Sequence, residues 1–184
     1  MWRGARWVSS RGGGVELKDC IASFKGGRAP CFETPTPFVE FVEESLGVKF
    51  TLDAAADQHN TKAPAFINEE MDSLKTDWRG VVWCNPPYGS MIKPFLKRAV
   101  EMKDRCELIA VLIPARMDTK YMHEIAIANA SEIYFIKGRL NFQHETADKG
   151  ANAPYASVLI VFKPHMNHLT FQTLEPTQKQ RGRV

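Results

Sequence analysis

The sequence contains no apolar run approaching 18 residues and no internal repeat, which excludes a membrane-spanning helix and a repeat architecture. Its N-terminus carries charges but lacks the apolar core of a secretory signal. The four cysteines have no CxxC spacing, and no matching histidine cluster accompanies them. We therefore expect reduced thiols in a cytoplasmic protein, with neither a disulfide framework nor a metal site.

Charge is distributed unevenly over the 184 residues. The net charge is +3, but residues 1–28 carry +4, residues 163–184 carry +3 and residues 29–162 carry −4. Basic ends on an acidic body are typical of flexible arms that touch a polyanion, although solvated termini would give the same pattern. The Gly- and Arg-rich segment 1–28 shows no periodicity and is predicted to be disordered. The expected organisation is therefore a basic arm (1–28), one folded domain (29–164) and a basic C-terminal tail (165–184).

Strand and helix patterns alternate within the predicted domain. Continuous apolar runs such as 108–113 indicate strands covered on both faces, whereas residues 92–102 show helical spacing of apolar side chains. This alternation predicts an α/β fold with a mostly parallel sheet and helices on both faces. The predicted helices are 38–45, 92–102 and 119–130; the predicted strands are 48–52, 81–84, 108–113, 132–136 and 156–162, and 66–78 is predicted to be irregular.

The tetrapeptide Asn85-Pro86-Pro87-Tyr88 is the most informative motif, and it directly follows a predicted strand. The carboxyl ends of strands are where open α/β sheets bind ligands. Two prolines stiffen the turn and remove two N–H donors, while Asn85 adds an amide oxygen and Tyr88 an aromatic face. Such a turn can hold a planar amino group between two acceptors, with its ring stacked on the tyrosine. The alternative interpretation is a proline-rich turn that leads into the next helix.

Four sequence elements occur in a fixed order along the domain. They are Thr34-Pro35 ahead of Phe38, Leu52-Asp53-Ala54-Ala55-Ala56 with Asn60 downstream, Asp72-Ser73-Leu74 ahead of Trp78, and Trp83-Cys84-Asn85-Pro86-Pro87-Tyr88. With these elements the chain resembles the phage-type DNA N-6-adenine methyltransferase (Dam) family, from about residue 31 to residue 164. The resemblance implies a reduced Rossmann-like class I methyltransferase sheet, S-adenosylmethionine as cofactor and double-stranded DNA as substrate. It also implies a phage- or prophage-encoded enzyme in a bacterial cytoplasm.

The resemblance assigns a role to each matched position. It implies catalytic residues Asn85, Pro86, Pro87 and Tyr88, and cofactor-binding residues Thr34, Pro35, Asp53, Ala54 and Asp72. In the loop after the predicted strand 132–136, Phe142 and Arg139 are the expected substrate-binding residues, and Arg139, Lys137 and Lys149 are expected near the DNA phosphates. Asp72 resembles the carboxylate that accepts from the cofactor's adenine amino group, and a turn cap is its alternative role. Phe142 is the candidate for a second face stacked on the target base, and core packing of a hairpin is the alternative.

The chain departs from the general methyltransferase pattern in two respects. Alanines replace the glycines of the first turn, after Asp53, which leaves the geometry of that turn open because alanine disfavours positive φ. Only 32 positions separate Asp53 from Asn85. We therefore expect a strand or helix of the usual sheet to be reduced to a loop.

The expected chemistry is methylation of the exocyclic amine of a flipped adenine. The amine is a poor nucleophile because its lone pair is delocalised, so the site must orient it and stabilise the charge that develops on it. A protein glutamine-N5 methyltransferase would use the same tetrapeptide on a different planar nitrogen. A catalytically idle DNA-binding relative is the third interpretation.

Overall fold

A seven-stranded sheet organises the part of the chain that this computed structural model describes, which is residues 33–142, 151–152, 155–166 and 168–182. All of these residues belong to one unit, Cys31–Val184. The predicted arm 1–28 lies outside the described residues. The helices are α1 (Thr36–Leu46) and α2 (Ile92–Met102), followed by a 3-10 turn (Lys103–Arg105) and a π-helical segment (Met122–Ile127). The strands are β1 (Leu52–Asp53), β2 (Ala65–Phe66), β3 (Gly80–Cys84), β4 (Cys106–Pro114), β5 (Glu132–Ile136), β6 (Asn141–Phe142), β7 (Ala151–Asn152), β8 (Ser157–Phe162) and β9 (Thr170–Leu174).

The strand order in the main sheet is β2-β1-β3-β4-β8-β5-β9, and β6 pairs with β7 in a separate hairpin. Strands β2, β1, β3 and β4 are parallel to one another, and β5 is parallel to β9. Strand β8 is antiparallel to both of its neighbours, β4 and β5. The predicted reduced Rossmann-like sheet is confirmed. Because β1 to β4 run the same way, their carboxyl ends meet at one edge.

Side chains alternate between the two faces of the sheet, and each face has a helix. In β3, Val81 and Trp83 join the cluster that contains the buried side of α1. Val82 and Cys84 join the opposite cluster, which contains the buried side of α2 and of the π-helical segment. Strands β4 and β8 are buried along nearly their whole length, which explains their continuous apolar sequences.

Proline and glycine mark the ends of α1. The Pro35 carbonyl accepts hydrogen bonds from the N–H groups of Phe38 and Val39, and Gly47 ends the helix with φ of 67°. The helix therefore begins two residues earlier than the sequence predicts. Helix α2 has the predicted bounds. No helix in the described ranges is both long enough and apolar enough to cross a bilayer.

Strand β1 is shorter than predicted, because only Leu52–Asp53 is paired as a strand. Upstream, the Phe50 N–H donates to Glu43 Oε1 at 2.9 Å, and the Phe50 ring packs against Trp83. A side-chain acceptor on α1 thus takes the backbone donor that a longer strand would use. The predicted irregular region 66–78 begins in β2, whose residues pair with β1, and continues as turns.

The predicted tail 165–184 contributes a strand to the sheet, so its description as a tail is corrected. Strand β9 pairs with β5 over five positions, and residues 178–182 form a turn that returns to Asn141. Four of the five β9 side chains are exposed, and only Leu174 is buried. An edge strand with so few buried side chains has no apolar pattern from which it could be predicted. The predicted strand 156–162, observed as β8, is therefore followed by one strand that the sequence did not predict.

Candidate active site

The tetrapeptide leaves the carboxyl end of β3, as predicted, and its asparagine is held by a residue far away in sequence. Asn85 Nδ2 donates a hydrogen bond of 3.0 Å to Thr34 Oγ1. Thr34 is buried, and Asn85 is partly buried. In this orientation the amide nitrogen faces Thr34, so the acceptor Oδ1 is turned away from it. The structure thus brings together two of the predicted elements, one assigned to the cofactor and one to catalysis.

Tyr88 and Phe142 also meet at this edge. Their ring centroids lie 6.3 Å apart at an interplanar angle of 83°, an edge-to-face contact. Tyr88 is partly buried, and burial raises the pKa of its hydroxyl above the usual range. Phe142 is 1% exposed and belongs to the apolar cluster on the α1 face. In this conformation Phe142 packs as a hairpin core residue and supports the Tyr88 ring. Its role as a second stacking face remains a prediction.

Asp53 ends β1, next to the tetrapeptide. Its register partner on β3 is Trp83, two residues before Asn85. The carboxylate accepts hydrogen bonds from the N–H groups of Ala55 at 3.2 Å and Lys62 at 3.0 Å. Burial raises the pKa of Asp53 to about 6, and these two N–H groups oppose the rise. Asp53 therefore closes the loop that follows β1.

The alanine-rich turn after β1 has ordinary backbone geometry. Among the described residues other than glycine, only Asp72 and His165 have positive φ. Ala54 is fully buried, and its N–H donates to the Trp83 carbonyl at 2.8 Å. Alanines can therefore replace glycines here because the turn does not enter the left-handed region. Asn60, the downstream match, closes the loop by accepting from the Asp57 N–H at 2.9 Å.

Lys62 was not predicted as a site residue. Its side chain is 7% exposed, and its ammonium donates to Glu33 at 2.6 Å and to Thr36 Oγ1 at 3.4 Å. Its backbone N–H donates to Asp53, so Lys62 joins the loop after β1 to the start of α1. A single lysine in a polar loop gives no sequence signal of such a link.

Asp72 forms a turn in the structure. It adopts φ of 53°, accepts from the Leu74 N–H at 3.2 Å and pairs with the Lys75 ammonium at 2.6 Å. The hydrogen bond from Lys75 holds the pKa of Asp72 below its usual value. In the structure Asp72 therefore acts as a turn cap, the alternative role that the sequence left open. Left-handed backbone at a residue other than glycine is often found at functional sites, and the predicted cofactor contact stays a prediction.

Arg139 lies exposed in the loop that enters β6. The same loop contains Gly138, with φ of 84°, and the exposed Lys137. The Lys137 ammonium donates to Glu175 at 2.9 Å, so the positive charge that this loop presents next to β6 is that of Arg139. Lys149, which the sequence also places near DNA, lies outside the described residues. In the ranges that the structure covers, no group of three or more acidic, histidine or cysteine side chains is arranged to bind a metal.

A family model described as DNA N-6-adenine-methyltransferase (Dam) matches residues 27–182. The DNA N-6-adenine-methyltransferase of Haemophilus phage HP1 (strain HP1c1) is 32% identical in an alignment of length 135 that covers 71% of this chain and 77% of that protein. The DNA N-6-adenine-methyltransferase of Escherichia phage T1 is 35% identical in an alignment of length 124 that covers 64% of this chain and 51% of that protein. A solved protein of Thermoplasma acidophilum shares 11% identity, with 70% of this chain and 88% of that chain covered and a TM-score of 0.41.

Proposed function

Because the chain belongs to the DNA N-6-adenine-methyltransferase (Dam) family, it is an adenine-specific DNA methyltransferase, and we propose that it transfers the methyl group of S-adenosylmethionine to a flipped adenine at the Asn85–Tyr88 turn. The observation that supports this site best is the hydrogen bond between Thr34 and Asn85. It fixes the amide of the proposed catalytic residue before any substrate arrives.

The chain's own residues orient the amine that is methylated. Asn85 Oδ1 and the Pro86 carbonyl accept the two N–H groups of the adenine amine, which directs its lone pair out of the ring plane. As charge develops on the nitrogen, these two acceptors stabilise it without having to reorganise. Because the protein contributes orientation of the amine and electrostatic stabilisation, no nucleophilic side chain is needed.

The residues around β1 fit the cofactor. Ala54 is buried and hydrogen-bonded to β3, so backbone can approach a ligand closely without positive φ. Thr34 and Pro35 are held near this loop because Lys62 joins Glu33 to Asp53. We propose that these segments hold the cofactor's methionine end and that Asp72 accepts from its adenine amine. When bound, S-adenosylmethionine supplies an electrophilic methyl group.

The target adenine must leave the duplex, because a base inside the helix cannot reach a turn at a sheet edge. Tyr88 offers its ring to the flipped base, and the edge-to-face contact with Phe142 keeps that ring in place. Arg139 is exposed three residues before Phe142 and is proposed to bind a DNA phosphate.

Labelled S-adenosylmethionine with duplex DNA, followed by mass spectrometry of the nucleosides, tests the proposal. The expected product is N6-methyladenine, whose rate of formation falls about 100-fold or more in Asn85→Ala while cofactor binding persists. A methylated glutamine in a protein acceptor would favour the alternative enzyme. Cofactor binding without any methylated product would indicate an idle relative.

A further inference from the structure

The C-terminal turn, residues 177–182, is a folded element with its own hydrogen bonds. The Thr177 N–H donates to Gln180 Oε1 at 2.8 Å, and the Arg181 N–H donates to the Thr177 carbonyl at 3.1 Å. The Gly182 N–H donates to the Lys179 carbonyl at 3.0 Å. These bonds give the turn a defined shape, so it can hold another segment in place.

That segment is the 137–142 loop, which follows β5 and ends with the two residues of β6. Arg181 Nη1 donates to the Lys137 carbonyl at 3.0 Å, and the Arg181 carbonyl accepts from the Asn141 N–H at 2.8 Å. Asn141 Nδ2 also donates to the Gly182 carbonyl at 2.9 Å. Arg181 therefore contacts both ends of the loop, one with its side chain and the other with its backbone.

Two glycines make the contact close. A Cβ placed on Gly138 would lie 1.8 Å from Arg181 Nη1, so the guanidinium occupies the space that a side chain would take. A Cβ on Gly182 would lie 2.7 Å from the Asn141 carbonyl oxygen and 2.8 Å from Pro35 Cγ. The turn thus packs against the loop and against a predicted cofactor residue together.

The loop ends in Phe142, whose ring makes the edge-to-face contact with Tyr88. We propose that Arg181 is a positioning residue for methyl transfer, because it holds the 137–142 loop that sets Phe142 against the site. This inference rests on the proposed function of the Tyr88 ring. It gives Arg181 a role in placing this loop, whereas the charge pattern of the sequence indicated only a basic tail that either touches a polyanion or is solvated.

Charge and placement can be separated with three variants of the full chain. Arg181→Ala removes both charge and contact. Arg181→Lys keeps the charge but loses the planar group that fits over Gly138. Lys179→Ala is the matched control, since the exposed Lys179 side chain lies in the same turn. Each variant is assayed for kcat, for the KM of duplex DNA and for the dependence of DNA affinity on salt.

If Arg181 positions the loop, the Arg181→Ala and Arg181→Lys variants both have a kcat about 10- to 100-fold lower than the parent. The KM of duplex DNA and the log–log slope of DNA affinity against salt stay at the parent's values. Hydrogen exchange at the Asn141 amide becomes faster in both variants. Lys179→Ala behaves as the parent. The proposal is overturned if Arg181→Lys matches the parent while Arg181→Ala raises KM and reduces the salt slope by about 1, the result of a lost phosphate contact. An Arg181→Ala protein with parental kcat would overturn it as well.

A second substitution tests the same contact without changing any charge. Gly138→Ala pushes the guanidinium away and is expected to lower kcat as Arg181→Ala does. Gly47→Ala is its control, because Gly47 has a similar φ of 67° and a Cβ added to it would meet no atom within 4 Å. Equal kcat for the two glycine variants would contradict the proposal. Should the parent fail to methylate adenine, the proposed function fails, whereas the exchange rate of Asn141 still reports whether Arg181 holds the loop.

Discussion

Thr34 Oγ1 and Asn85 Nδ2 lie 3.0 Å apart although 51 positions separate the two residues in sequence. Thr34 lies two residues before the start of α1, while Asn85 directly follows β3. A buried hydroxyl thus sets the orientation of an amide whose other end is proposed to bind the target amine. Because a rotated amide would present a donor in place of an acceptor, this bond makes a direct prediction about turnover.

Thr34→Val removes the hydroxyl and keeps the shape of the side chain. We expect kcat to fall about five- to tenfold, the effect of about 1 kcal/mol for one hydrogen bond, with a smaller change in the KM of S-adenosylmethionine. Thr34→Ser retains the hydroxyl and should stay close to the parent. Steady-state kinetics of the two variants measures the difference, and a valine variant as active as the serine variant would contradict the assigned role.

Asn85→Ala removes the proposed acceptor itself. We expect kcat to fall about 100-fold or more, because an oriented group that stabilises developing charge is lost. Cofactor affinity should change little, since the interaction belongs to the transition state. Single-turnover rates and calorimetry separate the two effects. Turnover within about threefold of the parent would rule out the assignment.

Asp72→Ala is expected to weaken the binding of S-adenosylmethionine about tenfold through the loss of one hydrogen bond. Lys75→Ala is the control, because it removes the ion pair seen in the structure and keeps the carboxylate. If Asp72 serves only as a turn cap, calorimetry will give parental affinity for both variants.

Asp53 should make stability depend on pH. Its pKa rises from 3.8 to about 6 on folding because the carboxyl is buried. Between these values the folded protein keeps a proton that the unfolded chain has released, so the free energy of unfolding falls as pH rises from about 4 to 6 and is flat above. The expected loss is on the order of 3 kcal/mol. Urea unfolding of the parent and of Asp53→Asn at pH 4 to 7 isolates the contribution of Asp53. If the free energies of unfolding of the two proteins differ by the same amount at every pH, this prediction is wrong.

Deleting the two basic ends should have different results. Removal of residues 165–184 takes away β9 and the buried Leu174, and we expect a loss of at least about 3 kcal/mol in the free energy of unfolding. Removal of residues 1–28 is expected to leave a folded, cofactor-binding protein with weaker DNA binding and a shallower salt slope. Urea unfolding and salt titrations check both. Equal stability of the two truncated chains would count against the first expectation, and an unchanged slope against the second.

Elements with strong local patterns were predicted closely. Strand β5 and helix α2 have the predicted bounds, since an apolar β-branched run and an amphipathic spacing each identify their structure locally. The helix predicted at 119–130 spans residues 120–129 but contains a π-helical segment, which no periodicity signals. Strand β9 was missed because an exposed edge strand owes its place to pairing with β5.

The placement of candidate residues was predictable where they lie in a short motif and not where it depends on distant contacts. The tetrapeptide and Asp53 were expected at strand ends, and they lie at the carboxyl ends of the neighbouring strands β3 and β1; their roles stay predictions. The link made by Lys62 and the loop support by Arg181 each join segments that are far apart in sequence. Such contacts arise only when the chain is folded, and a lone charged residue in a polar segment does not indicate them.

Cys84 lies one residue before Asn85, with its thiol fully buried. Burial, with the nearby Asp53 carboxylate, raises the pKa of this thiol well above its usual value, so the reactive thiolate is suppressed. A labelling reagent can reach it only when the end of β3 separates from its surroundings. Once the other three cysteines are replaced, the labelling rate of Cys84 measures how often the end of β3 opens. Bound ligands that close the site should lower this labelling rate.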